Sequence, residues 1–387
     1  MRITWIVPHF PPHIGGGEKL YMDICLFLKE RGNEVRVVTS SSGGITGYRS
    51  VKGVRIWYCD WPLFFGHPLV RMTDILPHVK WCDIVHTSIY STALKANLAS
   101  LLCGKKCVTT IHEVMDRKWF WFEKNPLKAA AFFIYERLIV FSCPLVHVVS
   151  GATASDYRAA GGRCKKPFMI YNYPDLPDYS LIEKEDISFR SFFSLKEGER
   201  GILFFGRPAK NKGIFVLLKA LSLLPEKEMA SARVRFCFIL AKNPGQDYRK
   251  AIHLIRKLDQ SGHITVKPPL PRLRLLKVLS GADCCIIPSV TEGFGYAAAE
   301  ACVLKRAVIS SDAGSLKEVV GGRCLFFKNR DAKDLAAKLR LYLREDTKAF
   351  STVEEKHFDK LRIIRQYTDM YSSLLRSPLY MRKNSDS

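Results

Sequence analysis

Cys284-Cys-Ile-Ile-Pro-Ser289, followed by Glu292-Gly-Phe-Gly-Tyr-Ala-Ala-Ala-Glu300, is the stretch that decides the fold. The short apolar run bounded by Pro288 reads as a buried strand, and the small-residue run from Gly295 reads as a helix. Strand, turn and helix in that order form the βα unit of an open α/β sheet, whose ligands bind at the carboxyl ends of the strands. Glu292 then lies in the loop beyond the strand, and Glu300 lies two turns into the helix on a similar face. Phe294 and Gly295 stand at the helix start, where unpaired N–H groups and the helix dipole attract anions. An anion-binding helix end beside two carboxylates that accept from hydroxyls suits a nucleotide sugar. A solvated helix start with one exposed acid is the plain alternative, so the surroundings must decide.

Working outward, short β-rich runs alternate with helical stretches along the whole chain. In the N-terminal half strands are expected at 3–7, 35–39, 54–58, 84–87, 107–111, 145–149 and 168–171, and helices at 18–31, 92–102, 126–141 and 152–159. Residues 172–200, with Pro174, Pro177 and a charged patch at 183–186, break the rhythm and read as a linker. Alternation then resumes with strands at 201–205, 234–240, 264–267, 284–287, 308–310 and 325–327, and helices at 213–224, 246–259, 272–280, 295–304 and 331–344. Such alternation predicts parallel sheets covered on both faces. The expected organisation is a Rossmann-like domain over 1–175, a second over 176–376 that ends in a helix near 353–375, and a disordered polar tail over 377–387. Two doubly wound domains would line a cleft with the carboxyl ends of both sheets.

Composition agrees. A chain of 387 residues with 47% apolar residues holds two ordinary cores. No stretch reaches the roughly 20 apolar residues of a membrane span, and the longest candidate, 127–141, is broken by Glu136 and Arg137. None of the twelve cysteines forms a Cys-x-x-Cys pair and many sit in apolar runs, which reads as a reduced, cytoplasmic protein rather than a disulfide framework. The net charge of +23 divides as +9 over 1–175 and +14 over 176–387. Both halves therefore favour anionic partners, whether nucleotide, membrane surface or nucleic acid, or simply solubility.

Two loops stand at equivalent places after the first strand of each half. Pro11-Pro-His-Ile-Gly-Gly-Gly-Glu18 lets backbone approach a ligand at a helix start, although a flexible turn would read the same. Gly206-Arg-Pro-Ala-Lys-Asn-Lys-Gly213 brings Arg207 and Lys212 toward a diphosphate, or is a solvated basic loop. His112 ends the strand at 107–111, where a structural and a functional histidine look alike. The segment 311–320 starts another helix at a strand end and is expected to line the site. Arg117-Lys-Trp-Phe-Trp-Phe-Glu-Lys124 puts four aromatics between bases, a pattern for an anionic membrane interface, for a domain core or for stacking on a sugar.

Five motifs in order resemble the retaining glycosyltransferases of family 4, with the two-domain GT-B fold. They are Gly15-Gly16-x-Glu18, the run from Gly32 to Val35 after the first helix, Ile170-Tyr-Asn172, Gly206-Arg207 with Lys212-Gly213, and Pro288-Ser289 ahead of Glu292-x7-Glu300. The resemblance covers about residues 1–375. It implies that Gly15 and Gly16 close on the transferred sugar and phosphate, and that Arg207 and Lys212 neutralise the diphosphate with help from Phe294 and Gly295. It further implies that Glu292 binds sugar hydroxyls, that Glu300 holds the ribose, and that the backbone carbonyl of His112 faces the anomeric carbon. UDP is the first expected donor nucleotide and GDP the next. Ala241-Lys242 and Lys267-Pro-Pro-Leu-Pro271 depart from the family's glycines and leave the base open. With no Asp-x-Asp motif, neither metal nor cofactor is expected. The acceptor is expected to be a sugar or lipid-linked hydroxyl, met on the cytosolic side with peripheral association. The rivals are a nucleotide-sugar 2-epimerase of the same fold and a basic nucleic-acid-binding protein. The second lacks a recognition module, so no nucleic acid is expected.

Overall fold

The computed structural model describes residues 1–13, 15–64, 67–241, 245–259, 262–344 and 349–376. The chain divides into two units: Met1–Tyr173 together with the chain from Phe358 onward, and Pro174–His357.

The first unit holds β1 (Arg2–Val7), β2 (Glu34–Ser40), β3 (Gly47–Val51), β4 (Val54–Cys59), the hairpin β5 (Leu63–Phe64) and β6 (His67–Pro68), β7 (Ile84–Ser88), β8 (Lys106–Ile111), β9 (Leu145–Val148) and β10 (Phe168–Met169). Apart from the hairpin they form one sheet in the order β10-β9-β8-β7-β1-β2-β4-β3. Every pair is parallel except β3 with β4. Central β1 is buried on both faces from Ile3 to Val7, as a parallel strand between two helical layers must be. The covering helices are α1 (Gly16–Glu30), α2 (Met72–Trp81), α3 (Ala93–Leu102), α4 (Trp119–Phe122), α5 (Pro126–Ser142) and α6 (Gly151–Ala159). Asn125 caps α5 by accepting from the Leu127 and Lys128 amides, with Pro126 at the first helical position where no donor is missed.

The stretch read as a linker contains α7 (Tyr179–Glu183) and α8 (Phe189–Phe193), the latter with a Ser188–Ser191 capping box. Next come β11 (Arg200–Gly206), α9 (Ile214–Leu221), α10 (Glu226–Ser231), β12 (Val234–Leu240), α11 (Gln246–Leu258), β13 (Ile264–Lys267) and α12 (Arg272–Ser280). The unit finishes with β14 (Cys284–Ile287), α13 (Tyr296–Val303), β15 (Ala307–Ser311), α14 (Leu316–Val319), β16 (Gly322–Phe327), α15 (Ala332–Leu343) and β17 (Ser351–Val353). The sheet order is β13-β12-β11-β14-β15-β16-β17, and only β17 runs antiparallel to its neighbour. Strand order reverses between β11 and β14, which makes the carboxyl ends of those two strands the switch point of the sheet.

One expectation is corrected. The last helix, α16 (Lys360–Arg376), begins later than position 353 and packs in the first unit, not the second. Residues 351–353 are instead the edge strand β17. The cause is the apolar stripe Ile363, Ile364, Tyr367, Met370, Tyr371 and Leu374, which joins the core around Trp5, Ile24 and Leu28. Lys360 Nζ lies 2.7 Å from an Asp23 carboxylate oxygen at its start, and Lys106 donates to the Leu374 carbonyl near its end.

A buried relay also holds α16. His147 Nε2 lies 3.0 Å from the Ile170 carbonyl, which only accepts, so this nitrogen carries the proton. Nδ1 of the neutral ring then accepts from Thr110 Oγ1 at 2.8 Å. With its one proton used, Thr110 accepts from His86 Nε2 at 2.6 Å, and His86 Nδ1 accepts from the Tyr371 hydroxyl. Neutral rings satisfy every polar atom in the series. Burial pushes the His147 pKa down to about 3 and that of His86 well below the ordinary value.

The tail at 377–387 and Lys242 lie outside the described residues. Among the described residues no helix is long and apolar enough to cross a membrane. All twelve cysteines are free thiols.

Candidate functional site

In the second unit the switch point gathers most of the predicted residues. The loop after β11 and the turn after β14 are one scaffold, because the Val290 amide donates to the Asn211 carbonyl at 2.8 Å. Gly213 closes it with φ +69, and a Cβ there would stand 1.6 Å from the Pro288 carbonyl oxygen, so only glycine fits. Lys212 is thereby aimed at Glu292, its Nζ lying 2.9 and 2.8 Å from the two carboxylate oxygens. The Glu292 side chain is 10% exposed and that of Lys212 32%, so the pair sits at a mouth rather than in the core. Arg207, predicted to share this work, is exposed at the strand end.

The Glu292 turn is fixed from behind by the segment 311–320. Ser315 donates its amide to the Glu292 carbonyl at 3.1 Å and its hydroxyl to the Phe294 carbonyl at 2.8 Å. A Cβ on Gly314, where φ is +51, would stand 2.2 Å from the Glu292 carbonyl oxygen. Sequence reasoning placed this segment at the site and missed its role as a clamp. Phe294 is buried with its ring 5.3 Å from Tyr296. Gly295 adopts φ +94 and caps α13, whose first helical residue is therefore Tyr296, one later than expected.

Glu300 is buried inside α13. Burial raises its carboxyl pKa and Arg272 opposes the rise. One Arg272 nitrogen lies 2.8 Å from Glu300 Oε1 and 2.8 Å from the Asp175 carbonyl. Arg272 was not foreseen. The available signal was a glutamate in an Ala-rich buried helix, which requires a cation, but spacing alone does not say which one.

The first unit supplies a separate set at its own switch point, between β1 and β7. Gly15 caps α1 and Gly16 opens it. The Glu18 carboxylate folds back over Gly15, where a Cβ would lie 2.2 Å from it, and also sits 2.9 Å from His13 Nδ1. His112 follows β8, and its Nε2 bonds the Tyr21 hydroxyl of α1. Burial pushes the His112 pKa down to about 4, so its ring is neutral at pH 7. Thr153 Oγ1 approaches the His112 carbonyl at 3.4 Å.

The aromatic tetrad divides. Trp119 packs on Phe132 at 4.8 Å and Tyr90 at 6.0 Å, while Phe120 and Trp121 remain 51% and 38% exposed.

Two family models cover these units. Glycosyltransferase Family 4 matches residues 14–176, and Glycosyl transferases group 1 matches residues 186–356. The chain belongs to the family 4 glycosyltransferases. An uncharacterised glycosyltransferase of Methanocaldococcus jannaschii is 25% identical over 349 residues, covering 86% of this chain and 87% of that one. The alpha-maltose-1-phosphate synthase of Mycolicibacterium smegmatis is 26% identical over 360 residues, with 87% of each chain covered. The Anabaena protein HepE, solved in complex with UDP-glucose, superposes with a TM-score of 0.72 at 19% identity over 96% of this chain and all of that one. That likeness shows the GT-B fold of two Rossmann-like domains. As a retaining family 4 glycosyltransferase, the enzyme transfers a sugar from a nucleotide-diphosphate donor to an acceptor.

Proposed function

We propose that the donor is a UDP-sugar and that the residues at the β11–β14 switch point hold it. The observation that carries the reading is the Lys212–Glu292 pair at the mouth of that site. A diphosphate is the stronger partner for an ammonium, so its arrival draws Lys212 onto phosphate oxygens, with Arg207 beside it. Glu292 is then freed to accept from sugar hydroxyls. The N-terminal end of α13, at Phe294 and Gly295, adds its dipole. Glu300 accepts from the ribose hydroxyls, which replace one Arg272 contact. UDP is chosen because the similar fold of HepE was solved with UDP-glucose.

Bond breaking leaves charge on the diphosphate while the sugar ring becomes cationic. Arg207 and Lys212 stabilise the departing charge, each contact being worth ~3 kcal/mol, or about a hundredfold in rate. The leaving phosphate oxygen takes the proton of the acceptor hydroxyl, belonging to a sugar or a lipid-linked sugar. His112, neutral at pH 7, contributes through its carbonyl rather than as an acid.

The experiment is a donor screen across UDP-, GDP- and ADP-sugars, reading released nucleoside diphosphate and the anomeric form of the product. UDP-sugar turnover with retention is expected. Exclusive use of another nucleotide would refute the donor assignment. An altered nucleotide sugar without nucleotide release would favour the epimerase.

A further inference from the structure

We propose that the α3–α5 face of the first unit docks onto an anionic lipid bilayer. Helix α5 is apolar on two sides. Ala129, Ile139 and Val140 are buried against the sheet. On the opposite side Leu127, Ile134, Leu138 and Phe141 are 81%, 57%, 53% and 50% exposed. The spacing of these four keeps them in one stripe of roughly 21 Å at ~1.5 Å per residue. A helix apolar all round belongs in an interior, yet the described residues cover only one side of this one. Neighbouring α3 continues the surface with Leu98, Leu101 and Leu102 at 49%, 77% and 69% exposure. A shallow groove lined by Leu94, Leu98, Leu101 and Pro144 joins the two. An apolar surface of this extent marks an interaction site.

Charge selects the occupant. Residues 93–112 contain Lys95, Lys105 and Lys106 and no acid. Residues 157–168 contain Arg158, Arg163, Lys165 and Lys166 and no acid. Arg163 lies over the exposed Phe141 ring at 3.3 Å, which ties this basic segment to the stripe. Within 124–142 the one acid is Glu136, buried and bonded to the Tyr90 hydroxyl and the Met115 and Asp116 amides. Glu123, at the edge, is paired with Lys128. An apolar centre with a basic rim fits anionic headgroups around acyl chains, with the helix lying in the interface. A second copy fits poorly, because a two-fold contact sets basic rim against basic rim.

The face stands on the geometry of the first unit alone. Its consequence, an acceptor hydroxyl presented at a membrane surface, rests on the proposed transfer reaction. The test is co-sedimentation of the full chain with vesicles of phosphatidylcholine alone and of phosphatidylcholine with phosphatidylglycerol, with donor hydrolysis measured on the same samples. Binding to the anionic vesicles only is expected, falling with salt. Ile134→Ser with Leu138→Ser, both exposed, should weaken binding at least about tenfold while donor hydrolysis stays at the wild-type rate. Lys165→Glu with Lys166→Glu, both exposed in the basic segment tied to Phe141, should weaken it similarly and flatten the salt dependence. Absence of binding, or binding unchanged in the serine variant, overturns the proposal and leaves the sugar-transfer reading intact. A dimer in ultracentrifugation that the serine variant makes monomeric also overturns it, assigning the face to a second copy.

Discussion

Acid should loosen α16 from the first unit. The relay Tyr371–His86–Thr110–His147–Ile170 closes only with both imidazoles neutral, and a second ring proton on either would meet a donor. An unfolded histidine titrates near 6.5, whereas folded His147 titrates at about 3. A folded pKa below the unfolded one makes stability complete above pH ~6.5 and erodes it as pH falls further. Between pH 7 and 5 such a histidine withdraws about 2 kcal/mol, roughly thirtyfold in an opening equilibrium. His86, lowered in the same direction, adds to this. Hydrogen exchange followed by mass spectrometry reads the opening directly in peptides from 360–376. Their protection, corrected for the intrinsic pH dependence of exchange, should fall about thirtyfold or more, ahead of peptides from β11 and β12. Tyr371→Phe, which leaves His86 Nδ1 without its donor, should cost ~1–3 kcal/mol already at pH 7. Equal corrected protection of α16 at pH 7 and 5 would refute the reasoning.

The remaining predictions concern the site. Arg207→Ala and Lys212→Ala should each lower turnover about a hundredfold with thermal unfolding unchanged, as activity and melting scans of both variants would show. Glu292→Gln should change sugar discrimination and turnover, whereas Glu300→Gln should weaken UDP binding measured by calorimetry. In Arg272→Ala the Glu300 carboxyl loses the cation that restrains its rise, so the acid limb of the kcat/KM profile should move to higher pH. Gly213→Ala places a methyl against the Pro288 carbonyl at a positive φ and should cost more than ~1 kcal/mol by denaturant titration, together with donor turnover.

Strands such as β1, β12 and β14 were legible because parallel, doubly covered strands are runs of apolar residues. β3 was not, since Gly47–Val51 is an edge strand exposed at every position and carries no alternating signal. The βα turns at Gly206–Gly213 and at Glu292 were legible because glycine and charge punctuate strand ends. Their partners were less so. Arg272 and Ser315 reach Glu300 and the Glu292 turn from 28 and 23 positions away, and such pairings follow from sheet order rather than from spacing. The same limit applies to α16, whose amphipathic pattern announces a buried stripe without saying which sheet receives it.

The placement of α16 bears on how the protein is made. Because Ile363 to Leu374 belong to a core begun by residues 2–7, the ribosome must deliver the whole second unit before the first can be completed. A nascent chain therefore carries an unfinished apolar surface through most of its synthesis, a period in which a chaperone can bind, while Pro174–His357 has its own core in place sooner. Cutting the gene at the unit boundary gives unequal halves: the C-terminal piece keeps its sheet intact, and the N-terminal piece needs residues 358–376 returned to it, by fusion or as a peptide, before it can close.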